Sequence, residues 1–398
     1  MLPFNPARRR AARLLLGASA LAATPALALA TPSQQAPEPD APPSGPPERL
    51  RYAAADQASA TVPGFPRVRF FGDSSEEFLR AVQGTSGAWL SLSSGGEDGA
   101  YGAGVLTGMS AAGTRPEFSL VSGVSTGALM APYVFLGSRY DSALARNYTS
   151  VHAGDIFELV STPESLFDTW PMKKLVERSI TDAMIAAIAD EHGKGRRLFV
   201  ITTNLDAGRP VVWDMGAIAA RGGRQARELF RDVLLASSSI PGFFPPVHIT
   251  VEANGKRFTE MHADGAILRP FYVAPEALLA GASPMRLPAS ELYVLMNNKL
   301  TAEFSLTERS VPGVLARSIS VAMKGALRGE IIRIAAAARS QRIGLRLSMV
   351  PPDFSFPAQG AFDPRYMQAL FDLGVRHARS GSAFGGDAYA GTGVLLDG

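Results

Sequence analysis

The stretch SLVSGVSTGALMAPYVF, residues 119–135, decides how this chain is read. It opens on an apolar run, passes through Gly123-Val124-Ser125-Thr126-Gly127, and continues into residues that favour a helix. The G-x-S-x-G spacing is that of a sharp turn from strand to helix. Such a turn holds its serine in a strained conformation at the tip, where only small neighbours fit. The serine oxygen then stands at the carboxyl end of a strand, beside a helix N-terminus that favours developing negative charge. The plainer reading is a serine that merely caps the helix. The apolar strand before it, the helical run after it and a second glycine cluster upstream favour a nucleophile.

Outward from this turn the pattern is α/β. AWLSLS (88–93), EFSLVSG (117–123), RRLFVITTNL (196–205) and ELYVLMNN (291–298) read as buried strands, rich in Val, Ile, Leu and aromatics. Helical patterns lie between them, including residues 172–193 and LFRDVLLASSS (229–239). Strands alternating with helices predict a mostly parallel central sheet with helices on both faces. Residues 314–342 carry apolar side chains at helical spacing, among them Leu315, Ile319, Met323 and Ala326, and read as a core or cleft-covering helix.

The 398 residues carry a formal charge of +3, but the excess is local. Arg8, Arg9, Arg10 and Arg13 lie in the first thirty residues, and without them the balance falls to −1. A near-neutral remainder gives no electrostatic case for nucleic acid. RRRAAR (8–13), the apolar run 14–30 and Ala28-Leu29-Ala30 read as an export signal with its cleavage site. Residues 31–66, rich in Pro, Ala, Ser and Gln, read as a disordered spacer. The expected catalytic domain spans 67–385, with a flexible tail over 386–398. The chain has no cysteine, which excludes disulfides and thiolate metal sites and suits a periplasmic, outer-membrane-associated or secreted protein.

The upstream cluster, SLSSGGEDGAYGAGVLTG (91–108), also follows a strand. Acyl transfer creates a tetrahedral oxyanion, which needs preorganised N–H donors. Gly95 and Gly96 are the natural donors, because glycine amides face a site without side-chain obstruction. Gly102-x-Gly104-x-x-x-Gly108 resembles a dinucleotide fingerprint, but it sits too far past the strand and is better explained by close helix–sheet packing. FFGDSS (70–75) has the G-D-S block of another esterase type; Asp73 and Ser74 read instead as a turn or helix cap.

A nucleophilic serine needs a base. His152 and His192 sit in polar, loop-like surroundings, and His248 follows a Pro-Pro pair. His377 falls on a C-terminal helical pattern. His262 stands two residues before Asp264 in RFTEMHADGAI, which places both on one face of a strand. Ser125, Asp264 and His377 keep the usual hydrolase order, yet Asp264 has the stronger local setting, at a strand end followed by glycine.

These residues carry a resemblance. Ser94-Gly95-Gly96-Glu97-Asp98-Gly99, then Gly123-Val124-Ser125-Thr126-Gly127, then Asp264-Gly265-Ala266 resemble, in order, the glycine loop, nucleophile elbow and D-G-[GA] motif of the patatin-like phospholipases. LLASSSIPGFFPPV (234–247) resembles the family's Ala/Ser-rich helix and the segment after it. The resemblance implies a three-layer fold and a Ser125–Asp264 dyad without a catalytic histidine. It also implies hydrolysis of fatty-acyl esters through an acyl-enzyme, without cofactor or metal. Lipid substrate and peripheral membrane contact would be its partners. The loop departs from the family where Ser94 replaces a glycine and Asp98 replaces a basic residue. The Ser94 amide is expected still to donate, and the Asp98 charge is expected to disfavour anionic headgroups, pointing to a neutral ester or a lysolipid. The same dyad would also serve an acyltransferase, and a silent lipid-binding protein is the reading from outside enzymology.

Overall fold

The computed structural model describes residues 49–281 and 285–385. The expected export signal, the first part of the spacer and the C-terminal tail lie outside the described residues. The strands are β1 (Arg69–Phe71), β2 (Gly87–Leu92), β3 (Leu120–Val124), β4 (Arg197–Asn204), β5 (Arg209–Asp214), β6 (Val247–Ala253), β7 (Lys256–Asp264), β8 (Ala289–Met296) and β9 (Gly344–Met349). They form one sheet, along which the order is β1-β5-β4-β3-β2-β8-β9. The spine from β4 to β9 is parallel throughout. β5 and β1 extend it antiparallel at one edge, and the β6–β7 hairpin joins it through β4.

Alternation along β4 shows why the spine reads as unbroken hydrophobics. Leu198 and Val200 enter one core, Phe199 and Ile201 the other, and all four are fully buried. Parallel strands covered on both faces have no solvent side. One face packs against helices α1 (Gly99–Ala111), α2 (Thr126–Leu136), α3 (Asp141–Thr149), α4 (Trp170–Ser179), α5 (Asp182–Gly193), α6 (Gly223–Ser237) and α8 (Pro364–Arg379). The other packs against α7 (Val311–Gln341) and the helix Ser75–Ala81. This is the expected mixed α/β fold with a central sheet between helices. Among the described residues no helix is long and apolar enough to cross a membrane.

Three expectations are corrected. The helix read across 172–193 breaks in two, because the Thr181 hydroxyl accepts from Met184 N at 3.3 Å and starts α5 afresh. Gly102 packs on the sheet as read, where a Cβ would meet Leu295 of β8 at 2.5 Å, but Gly104 and Gly108 serve helix–helix contact: a Cβ on Gly104 would meet Phe371 O of α8 at 2.0 Å. Residues 49–66 are not a spacer. Val62 and Phe65 are buried in the main core. Tyr52 stacks on Phe258 at 4.1 Å between centroids. Thr61 and Glu252 exchange backbone hydrogen bonds of 3.0 and 2.8 Å, and Arg49 holds Asp206 with both Nη atoms. Composition averaged over 31–66 hid the apolar residues gathered in its second half.

Removing residues 1–66 should therefore destabilise the domain. Burying Val62 and Phe65 is worth about 1.5–3 kcal/mol each, so urea unfolding of a chain starting at Arg67 should show a loss of several kcal/mol. Unchanged stability would mean that the segment rests on the surface without holding it.

Candidate active site

The site is built on one edge of β4. β3 pairs with β4 as far as Val124 opposite Ile201, and there the chain turns away at Ser125. The next residue of β4, Thr202, is paired with Asp264 of β7. β7 thus takes up the edge that β3 relinquishes, and Asp264 arrives at the level of Ser125. The last turn of α6 and the residues just after it bind both strands. Ser125 N donates to Ser237 Oγ at 3.0 Å, Ser237 Oγ donates to Ile201 O at 2.6 Å, and Asp264 N donates to Ser239 O at 2.8 Å.

Ser125 has φ 55° and ψ −123°, a conformation an L-residue holds only when its surroundings enforce it. Its side chain makes no capping bond to α2, so it is not the cap of the plainer reading. The turn is tight enough that a Cβ on Gly127 would meet Leu92 O at 2.4 Å. The Asp264 carboxyl is almost wholly buried; Oδ1 accepts from Ala266 N at 2.8 Å. Oδ2 has no hydrogen bond of good geometry, although the Ser125 hydroxyl is near enough to favour its charged form. Such bonds often tighten only around a substrate. Burial dominates and pushes the Asp264 pKa up to about 7.

The glycine loop faces the pair. Ser94, Gly95, Gly96, Ser125 and Asp264 line one cleft of about 260 Å³, together with Asn298, Ile319, Met323 and Lys324. The Gly95 and Gly96 amides make no hydrogen bond among the described residues and are free to donate. The Ser94 amide is not: it donates to Pro270 O at 2.8 Å, which corrects the expectation that it serves the oxyanion. The tip of β8 fixes this loop. Asn297 Nδ2 donates to Ser93 O at 3.0 Å and Asn298 Nδ2 to Ser94 O at 2.8 Å. Gly95 lies so close beneath that a Cβ would meet Asn297 O at 2.0 Å.

Asp98 does not present its charge to the cleft as expected. Its Oδ1 accepts from Tyr366 Oη at 2.6 Å, while Glu97 Oε2 accepts from Phe362 N. The two acids clamp the loop to the C-terminal segment. Burial pushes Asp98 up to about 6 and, with the Asp98 charge beside it, Glu97 to about 7. Positive charge reaches the cleft from α7, where Lys324 pairs with Glu303 at 2.7 Å.

No histidine joins the site. His262 shares a strand face with Asp264 but binds Glu260 at 3.1 Å and Thr202 at 2.9 Å. His377 meets Tyr101 Oη at 3.2 Å, His248 meets Glu164, and His192 lies 3.5 Å from Asp214. His152 lies at the exposed start of a short helix. Asp73 is held by Arg209, and Ser74 caps a helix, as read. Gly99 and Gly265 sit where a Cβ would strike Thr126 and Ile201 O. Sequence reasoning assigned no role to Ser237, Ser239, Asn297, Asn298 and Lys324. ASSS and MNN, each at the end of an apolar run, were the signal available for the first four.

A base must be unprotonated, so ester turnover should rise with pH through about 7, the position to which burial moves Asp264. The sign for stability is opposite. A raised carboxyl pKa destabilises the fold as pH climbs from the ordinary carboxylate range to about 7. Asp264→Asn should therefore be at least as stable as the parent at pH 8, by thermal melting, while a less stable Asn variant would contradict the buried, unpaired carboxylate.

Residues 90–275 match the family model described as Patatin-like phospholipase. No curated protein matches the chain. Among solved structures, VipD from Legionella pneumophila is similar over 73% of this chain and 67% of its own, at 12% identity and a TM-score of 0.38. The glycine loop, the elbow at Ser125 and Asp264 all fall within the span that matches this family model.

Proposed function

We propose that the protein is a serine lipid acyl hydrolase working through a Ser125–Asp264 dyad. The observation that carries the reading is the arrival of Asp264 opposite Thr202, just where β3 gives way to Ser125, inside one cleft with two free glycine amides. Ser125 Oγ attacks the ester carbonyl carbon as its proton passes to Asp264. The Gly95 and Gly96 amides hold the resulting oxyanion. Collapse breaks the carbon–oxygen bond to the alcohol, which leaves with the proton from Asp264, and an acyl-enzyme remains. Water then repeats the steps, giving its proton to Asp264, and the fatty acid departs as Ser125 regains one. The match of residues 90–275 to the patatin-like phospholipase model supports a lipid substrate, and the apolar walls of Ile240, Phe243, Ile319 and Met323 fit a fatty-acyl ester.

Replacing Ser125 by Ala should cost at least about a thousandfold in turnover and abolish labelling by a fluorophosphonate. Asp264→Asn should be nearly as damaging, since an amide takes no proton from serine. His377→Ala and His262→Ala should keep a substantial fraction of activity. A folded His377→Ala variant as inactive as Ser125→Ala would replace the dyad by an ordinary triad.

The cleft mouth also favours a lipid surface. Phe304 is 95% exposed and Leu306 84%, next to Glu303, which holds Lys324 of the cleft wall. Val311 and Val314 at the start of α7 are exposed as well. Inserting a Phe and a Leu side chain into lipid is worth a few kcal/mol, so Phe304→Ser with Leu306→Ser should lower hydrolysis of phospholipid vesicles at least about tenfold. The rate on a water-soluble short ester should fall far less. Equal losses on both substrates would reject the docking role.

A further inference from the structure

The wall that α7 gives to the catalytic cleft has two characters. Ala316, Ile319, Met323 and Leu327 recur at helical spacing and make an apolar stripe. Ser320 and Lys324, four residues apart, stand on the flank of that stripe and line the same cleft. Asn298, just past β8, adds a third polar side chain. Among the described residues that line the cleft, Lys324 is the only cation and Asp264 the only acid. The steps described under Proposed function use Asp264 and leave Lys324 and Ser320 without a role.

These polar groups have donors to spare. An ammonium carries three protons. Lys324 Nζ donates to Thr301 O at 3.1 Å and to Glu303 Oε2 at 2.7 Å, and its third proton meets no acceptor among the described residues. Asn298 Nδ2 spends one of its two protons on Ser94 O, and Ser320 Oγ makes no hydrogen bond among the described residues. Glu303 is itself shared. Lys299 Nζ lies 3.1 Å from its other oxygen, so two ammonium groups divide one half-exposed carboxylate. Asp98 is near enough to feel both lysines, but its carboxyl is buried against Tyr366 and does not line the cleft. An ammonium in a cleft wall gives up part of its hydration, and a ligand that brings negative charge replaces it with a strong hydrogen bond.

The apolar stripe, together with Ile240 and Phe243, offers walls to a fatty-acyl chain. The polar flank is left for the alcohol portion of the ester. Resting on the acyl-hydrolase reading, we infer that Lys324, with Ser320 and Asn298, receives an anionic group carried by that alcohol, and that Glu303 competes with the group for Lys324. A phosphate and a carboxylate share the chemistry required, since each has oxygens that accept from an ammonium, a hydroxyl and an amide. Glu303 does not line the cleft, so it holds the ammonium from outside and leaves a proton for the ligand.

The test compares kcat/KM for esters that share one decanoyl chain and differ in the alcohol: glycerol, glycerol phosphate, glycerophosphocholine and glyceric acid, all in micelles of one neutral detergent. The parent enzyme should favour the esters that carry an oxyanion over the glycerol ester, and added salt should shrink that preference. Lys324→Met should lower the ratio of the glycerol phosphate ester to the glycerol ester at least about tenfold, the loss of one charge-assisted hydrogen bond. Lys324→Arg should keep most of the preference. Glu303→Gln should raise the ratio about twofold to fivefold, the range of an exposed ion pair, and it provides a reading even where the Met variant folds poorly. A loss confined to the phosphate esters identifies the ligand as phosphate, and an equal loss on the glycerate ester extends it to carboxylates. If Ser125 takes a fluorophosphonate but Lys324→Met keeps the parent ratio, or Glu303→Gln fails to raise it, the assignment is wrong and the dyad stands. If the parent enzyme takes no probe and cleaves no ester, the dyad fails and the assignment with it.

Discussion

Backbone pairing along one edge of β4 is the constraint on which the active centre depends. Buried N–H and C=O groups must find partners. β3 supplies them up to Ile201 and then leaves the sheet to make the elbow. β5 holds the far edge of Thr202, Thr203 and Asn204, but on the edge that β3 leaves they would have no partner strand, and β7 supplies it. Pairing therefore brings the end of β7, and with it Asp264, to the place where β3 turns. The nearness of Asp264 to Ser125 is a by-product of closing the sheet. A Cβ on Gly265 would lie 2.4 Å from Ile201 O, so the chain passes beneath the elbow only with glycine there.

The centre stores unfavourable terms, and its surroundings hold them in place. Ser125 sits at positive φ, and Asp264 is buried with one oxygen unsatisfied. Neither feature would persist in a loosely packed turn. Ser237 locks the elbow amide to β4, and Ser239 holds the Asp264 amide, so the end of α6 ties both strands. A carboxylate denied water and a full set of donors is a better proton acceptor than a solvated one.

The glycine loop is held in a different way. Asn297 and Asn298 bind its backbone from β8, while Glu97 and Asp98 bind Phe362 and Tyr366. The loop amides can stay unpaired because everything around them is anchored. Glu97 and Asp98 thus act as a clamp. The cleft receives its cation from Lys324, distant in sequence on α7.

Much of this was readable from local pattern. The G-x-S-x-G turn, the strand before it and the parallel spine follow from residues within a few positions of one another, because elbows and buried strands have local steric requirements. The break at Thr181 and the ordering of 49–66 were missed where a long pattern or an averaged composition hid a cap or a few apolar residues. What tertiary structure alone decided was every relation across the sheet. The meeting of β3 and β7 on β4, the anchoring of Ser94 by Pro270 and Asn298, the reach of Lys324 into the cleft and the inward turn of Asp98 join residues far apart in the chain. Sequence specifies which groups exist and the local shape of the backbone. Only packing and backbone pairing fix which buried group each of them meets.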